Sequence, residues 1–83
     1  MHTITKKTAA DHYVEGVAAR EAGERPAEHR LYHVPWVAGY LGLAIDSVYR
    51  MVARGRLKKT AVGPALGGTR IRGRDLIDFL EGR

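Results

Sequence analysis

The chain has 83 residues, no cysteine, 14 Lys and Arg against 9 Asp and Glu, and a net charge of +5. That length supports one small domain with a thin core, and the missing cysteines exclude disulfide scaffolds and thiolate metal sites. No apolar run approaches the roughly 18 residues of a membrane span, so a membrane partner is not expected.

At the N-terminus, Lys6 and Lys7 are followed by Thr8-Ala9-Ala10-Asp11-His12 where the apolar core of a signal peptide would begin. No leader is therefore expected, and the protein is expected to stay in the cytoplasm. Residues 1–30 are Ala- and Glu-rich and balance five basic against five acidic side chains. Tyr13, Val14, Val17 and Ala18 recur at helical spacing, with Thr8 placed to cap and Gly23 to stop the turn. Gly16 inside that pattern costs about 1 kcal/mol relative to Ala. Gly23-Glu24-Arg25-Pro26 then reads as a linker. The expectation for 1–30 is an N-terminal arm, partly helical or disordered, preceding a domain over 31–83.

From Leu31 to Arg54 the pattern sharpens. Val34, Val37, Ala38 and Leu41 share one helical face, with Pro35 tolerated in the first turn. Gly42 follows where a chain leaving a helix needs positive φ. Val48, Met51 and Val52 make a second apolar face, and Gly55 ends it. Ala38 is small, as required where a second helix crosses close above it. Val37, Leu41, Leu43, Val48 and Met51 are expected to wedge the two helices into a helix-turn-helix.

The third segment adds a hairpin. Leu57 to Val62 is strand-like, residues 63–68 form a Gly- and Pro-rich turn, and Thr69 to Arg72 is a second short strand. A last helix carries Leu76, Ile77, Phe79 and Leu80, with Asp75 near its N-terminus, where the helix dipole favours an acid. The fold class expected is mainly α with a small β-hairpin, a winged helix-turn-helix. Charge follows the same division. Residues 31–83 carry nine basic and four acidic side chains, and from Ser47 to Arg74 there are eight basic residues and no acid. A solvated face mixes both signs, so a stretch of one sign suggests a polyanionic partner.

The motifs Val37-Ala38, Leu41-Gly42, Ser47-Val48-Tyr49-Arg50, Arg54-Gly55-Arg56-Leu57, Val62-Gly63, Arg70-Ile71 and Asp75-Leu76 with Phe79-Leu80 stand in a consistent order. Through them Leu31 to Leu80 resembles the excisionase-type winged helix-turn-helix family, related to the DNA-binding domain of MerR-type regulators. The chain departs from that family at His33 and Trp36, where a capping Thr or Ser and an acid are usual, and at Ala44, where Ser usually opens the second helix. The hairpin turn is longer by a few residues, and Ala61 replaces a common basic residue.

In such a fold the N-terminal part of the second helix enters the major groove of double-stranded DNA. Ile45, Asp46, Tyr49, Arg50 and Ala53 are expected to face outward there, and the resemblance adds Ser47. Arg50 is the candidate for bidentate reading of guanine. Asp46 either accepts from a cytosine amine or complements the helix N-terminus. Ser47 and Tyr49 are expected to position on the backbone. Arg54, Arg56, Lys58 and Lys59 should meet phosphates, while Thr69, Arg70 and Arg72 on the wing should reach phosphate or the minor groove.

Trp36 and Tyr40 lie away from the Val37/Leu41 face. Three covers are open: the arm's Tyr13/Val14/Val17 side, a protein partner, or partial exposure to solvent. His29 and His33 are four apart, but no carboxylate joins them at a ligand spacing, so neither a metal nor another cofactor is expected. No Gly-rich phosphate loop or Ser/His/Asp set suggests an enzyme or a small-molecule ligand. The resemblance implies an excisionase that bends DNA, beside neighbouring copies of itself, to help an integrase excise a phage or mobile element. A chain ending at Arg83, with no room for an effector domain, fits that expectation. A small transcriptional regulator or phage repressor, and a protein-binding adaptor, are the other readings. The abundance of Ala, Gly and Arg hints at a GC-rich bacterial or phage source.

Overall fold

The computed structural model describes residues 7–61 and 68–82. Its elements run α1 (Ala9–Glu21), β1 (Leu31–His33), α2 (Val34–Leu41), α3 (Ile45–Ala53), β2 (Thr60–Ala61), β3 (Thr69–Arg72) and α4 (Gly73–Leu80). This is a winged helix-turn-helix, mainly helical with a small antiparallel sheet. One hairpin strand, β3, spans Thr69–Arg72 as expected; of the described residues 57–61 only Thr60 and Ala61 join the ladder, and Val62 and the turn over 63–67 lie outside the described residues. A third strand, β1, pairs with the other side of β3, giving the order β1-β3-β2. Tyr32 lies opposite Ile71, while His33 and Thr60 both lie opposite Arg70.

The core is thin, as the length requires. Val34, Val37, Val48, Leu57, Ile71 and Leu76 are its largest fully buried side chains, joined by Ala38 and Tyr32. Each fully buried aliphatic side chain contributes roughly 1.5–3 kcal/mol of transfer free energy. Gly42 closes α2 at φ 73, with the Leu43 amide donating to the Ala38 carbonyl at 2.9 Å. Leu43, assigned to the wedge, instead remains 36% exposed, because the left-handed turn at Gly42 directs it off the α2/α3 seam.

The N-terminal segment contains helix α1 over Ala9–Glu21. Thr8 and Asp11 form a reciprocal capping box, Thr8 accepting from the Asp11 amide at 3.2 Å and Asp11 accepting from the Thr8 amide at 2.9 Å. These bonds hold the Asp11 carboxyl below its ordinary pKa. At the other end Gly23 adopts φ 74 and the Glu24 amide reaches back to Ala19. The helix between them crosses α2 at two glycines. A Cβ on Gly16 would meet the Trp36 carbonyl and lie 2.9 Å from the Tyr40 nitrogen, and one on Gly39 would lie 3.1 Å from the Val17 nitrogen. Gly16, a weakness in an isolated helix, is what allows backbone to touch backbone. The buried face therefore runs through Gly16 and Ala19, and Val14, expected on it, is 63% exposed.

The linker is bonded into the body as well. Residue Arg72 caps α4 without a side-chain hydrogen bond. The orphan donors of that helix are taken by the linker instead: Gly73 donates to the Arg30 carbonyl at 2.7 Å and Arg74 to the Glu28 carbonyl at 3.0 Å. The approach is close enough that a Cβ on Gly73 would lie 2.7 Å from the Ala27 carbonyl carbon. Ion pairs Arg25–Glu81 and Arg74–Glu28 flank the contact, and the Ala27 amide donates to the Tyr32 hydroxyl at 2.7 Å.

Candidate nucleic-acid interface

Helix α3 is split lengthwise by its packing. Val48 is fully buried, Met51 and Val52 lean on the core, and Asp46, Tyr49, Arg50, Ala53 and Arg54 are exposed. Ile45 departs from expectation. It is half-buried against the core rather than outward, because the first turn of α3 starts directly over α2. Ser47 is also half-buried, and its hydroxyl accepts from the Arg50 guanidinium at 3.4 Å. The outward face thus offers an acid, a phenol and two guanidiniums, groups that can accept from, stack on and donate to base edges and phosphates.

The N-cap of α3 is Ala44, which supplies no side-chain hydrogen bond. Asp46 sits in that uncapped first turn, where its charge favours the helix N-terminus whether or not a base is also present. At the far end Gly55, at φ 74, turns the chain, and the Arg56 amide donates to the Met51 carbonyl at 2.9 Å. Leu57 then dives into the core between exposed Arg56 and Lys58. Those two cations share a depression of about 320 Å³ with Asp75 and Asp78 of α4. The depression thus brings cations and carboxylates that are far apart in the sequence to one place, a proximity that no local pattern signals. Lys59 is exposed, next to Thr60.

On the hairpin, buried Ile71 separates Arg70 from exposed Arg72, so alternation turns both guanidiniums away from the core. Arg70 is half-buried and donates to the Thr69 carbonyl at 3.2 Å. Its register partners His33 and Thr60 share its face of the sheet, and Lys58 lies two residues before Thr60. The role of His33 escaped the sequence reading, because a three-residue strand is too short to display alternation.

Trp36 and Tyr40 are used by the chain itself. The indole stacks between Tyr32 and Tyr40, with centroids 4.2 and 5.0 Å away. The Tyr40 hydroxyl donates to the Glu24 carbonyl at 2.6 Å. The N-terminal segment covers this stack with Ala18, Ala19 and Ala22, leaving a groove whose floor includes Tyr32 and Trp36. Tyr13 reaches over α2 to donate to the Leu43 carbonyl at 3.1 Å, in the turn that leads into α3.

Among the described residues, no helix is long and apolar enough to cross a membrane. Comparison with known proteins gives one finding. Neither a curated protein nor a solved structure matches the chain. A family model described as a helix-turn-helix domain matches residues 31–83, covering α2, α3 and the sheet. That architecture points to DNA binding. With well over half its length inside the match and the two helices set around Gly42 as the pattern requires, the chain belongs to the helix-turn-helix domain family.

Proposed function

We propose that the protein binds specific sites on double-stranded DNA through α3 and the wing, as an excisionase that bends DNA and assists an integrase in excising a phage or mobile element. The observation that carries the DNA reading is the exposed α3 face, with Arg50 and Arg54 outward beside Tyr49 and no ion-pair partner for either guanidinium among the described residues. In this reading Arg50 reads guanine, Ser47 steers it, and Tyr49 and Arg54 grip the backbone. Arg72, Lys59 and the hairpin residues Thr69 and Arg70 add phosphate contacts, with a smaller share for Arg56 and Lys58 because of Asp75 and Asp78. The excisionase role is supported by the motif resemblance over Leu31 to Leu80. Its partners would be an integrase and neighbouring copies on DNA, in a bacterial cytoplasm, with binding rather than catalysis as its contribution.

The test is footprinting on DNA around the protein's own gene, followed by gel-shift titration against salt. About five neutralised phosphates give a slope of log K against log salt near −4 to −5. Arg50→Ala should cost about 1–3 kcal/mol at a guanine-containing site and relax preference there. A ladder of regularly repeated complexes beside an integrase attachment site supports the excisionase. A single protected operator at a promoter supports a transcriptional regulator instead. A flat salt dependence removes the DNA reading.

A further inference from the structure

Where the start of α1 meets the end of β1, a cavity of about 220 Å³ is lined by Lys7, His12, Glu15, Arg30 and His33, with Tyr32 and Trp36 behind them. The His12 and His33 rings stack there, centroids 3.7 Å apart and 18° from parallel. Neither ring has a hydrogen-bond partner among the described residues, so their N–H groups are uncommitted. Arg30 places its guanidinium 5.2 Å over the Tyr32 ring and forms no ion pair among the described residues. Arg70 of β3 is the register partner of His33 and faces it from the sheet. The single carboxylate, Glu15, is already held by Lys7 at 2.6 Å.

Lys7, just ahead of α1, and Arg30 of the linker thus border one hollow with the two imidazoles, and Glu15 is the one carboxylate among its described lining residues. The consequence is visible at His33. Its imidazole is held below the ordinary range by burial first, then by Arg70, His12 and Lys7, with Glu15 opposing. A tetrahedral anion would supply negative charge, accept from both rings and from Arg30, and make protonation of His33 favourable.

We propose that this cavity is a phosphate-binding site, filled by a DNA backbone phosphate in the complex and coupled to proton uptake by His33. The phosphate chemistry stands independently of the proposed function, and only the backbone as its source rests on that reading. None of the lining residues belongs to α3 or the hairpin, so the site would extend the DNA contact onto the N-terminal segment.

The test uses the full chain in two arms. In the first, thermal unfolding is followed in sodium phosphate and in sodium chloride of matched ionic strength, at about pH 6 and about pH 8, where imidazole changes charge. Phosphate is expected to raise Tm above chloride near pH 6 and much less near pH 8. Arg30→Gln, at an exposed position, and His33→Gln should each erase the difference. Equal Tm in the two salts near pH 6 overturns the site. In the second arm, duplex DNA is titrated against salt. Arg30→Gln should lower the slope of log K against log salt by about one near pH 6. An unchanged slope, with the first arm positive, overturns the backbone source and leaves a site for free phosphate. Absence of DNA binding with the first arm positive overturns the proposed function and keeps the site.

Discussion

Replacing Gly16 with alanine should destabilise the protein, although alanine is the better helix former. Taken alone, the substitution favours α1 by about 1 kcal/mol. In the structure, however, the new methyl would sit 2.9 Å from both the Trp36 carbonyl carbon and the Tyr40 nitrogen, and closer still to the Trp36 oxygen. All three are backbone atoms of α2, so no rotamer change relieves the overlap. Restoring ordinary spacing of roughly 3.5–4.0 Å requires α1 and α2 to separate by on the order of 1 Å. That movement loosens the packing of Tyr13 and Val17 and strains the Tyr13–Leu43 and Tyr40–Glu24 hydrogen bonds, each worth about 1 kcal/mol net. Overpacking in a closed interface costs typically 1–3 kcal/mol before those bonds are counted. The net expectation is a loss of about 2–3 kcal/mol, which in a domain this small lowers Tm by on the order of 10–20 °C. Thermal melts followed by circular dichroism and Trp36 fluorescence measure it directly. A Tm equal to or above that of the parent chain would mean that α1 does not dock on α2, and the reasoning would be refuted.

Ala44→Ser supplies the missing side-chain cap of α3 and should stabilise the protein by about 1 kcal/mol in urea unfolding, since Ser and Ala differ by about that at N-caps. Gly73→Ala should do the reverse of its helix propensity and cost at least about 2 kcal/mol, because its methyl meets the Ala27 carbonyl that packs against α4; an unchanged urea midpoint would contradict that contact. Acidification in low-phosphate buffer should weaken the fold through His33. Its folded pKa lies below the ordinary 6.5, so the unfolded chain protonates first. The stabilisation is complete above about 6.5 and disappears as pH falls through the folded value, and His33→Gln should flatten a plot of urea midpoint against pH in that window. A second decline belongs to Asp11, whose lowered folded pKa makes its contribution present above 3.8 and lost as pH drops through the folded value; Asp11→Asn should remove it.

The helix-turn-helix was legible because its signals are local. Gly42 and Gly55 stand where chains must turn with positive φ, and Ala38 and Val48 sit at the spacing that lets two helices cross. The outward side of α3 followed from the same periodicity, and Asp46, Tyr49, Arg50 and Ala53 are exposed as that spacing required. What could not be read was non-local. Gly16 is a defect in its own helix and an asset only beside α2, a pairing across more than twenty residues. Hydropathy chose Val14 for the buried side of α1, whereas the buried residues there are Gly16 and Ala19, which carry little hydropathy because they are small. Ile45 was read by position on its helix, without the neighbour that half-covers it. The His12–His33 stack joins α1 to β1, and neither histidine signals the other from its own surroundings.

The carbonyls of Glu28 and Arg30 that receive the first amides of α4 have a practical consequence for anyone shortening this chain. Family similarity begins at residue 31, one position after the second of those acceptors. A fragment cut there would leave two donors bare, uncover the Tyr32 hydroxyl and strip the roof from the indole. Ancestry and packing draw their borders at different places: the shared segment starts at residue 31, while the groups that close α4 and cover the indole come from upstream of it.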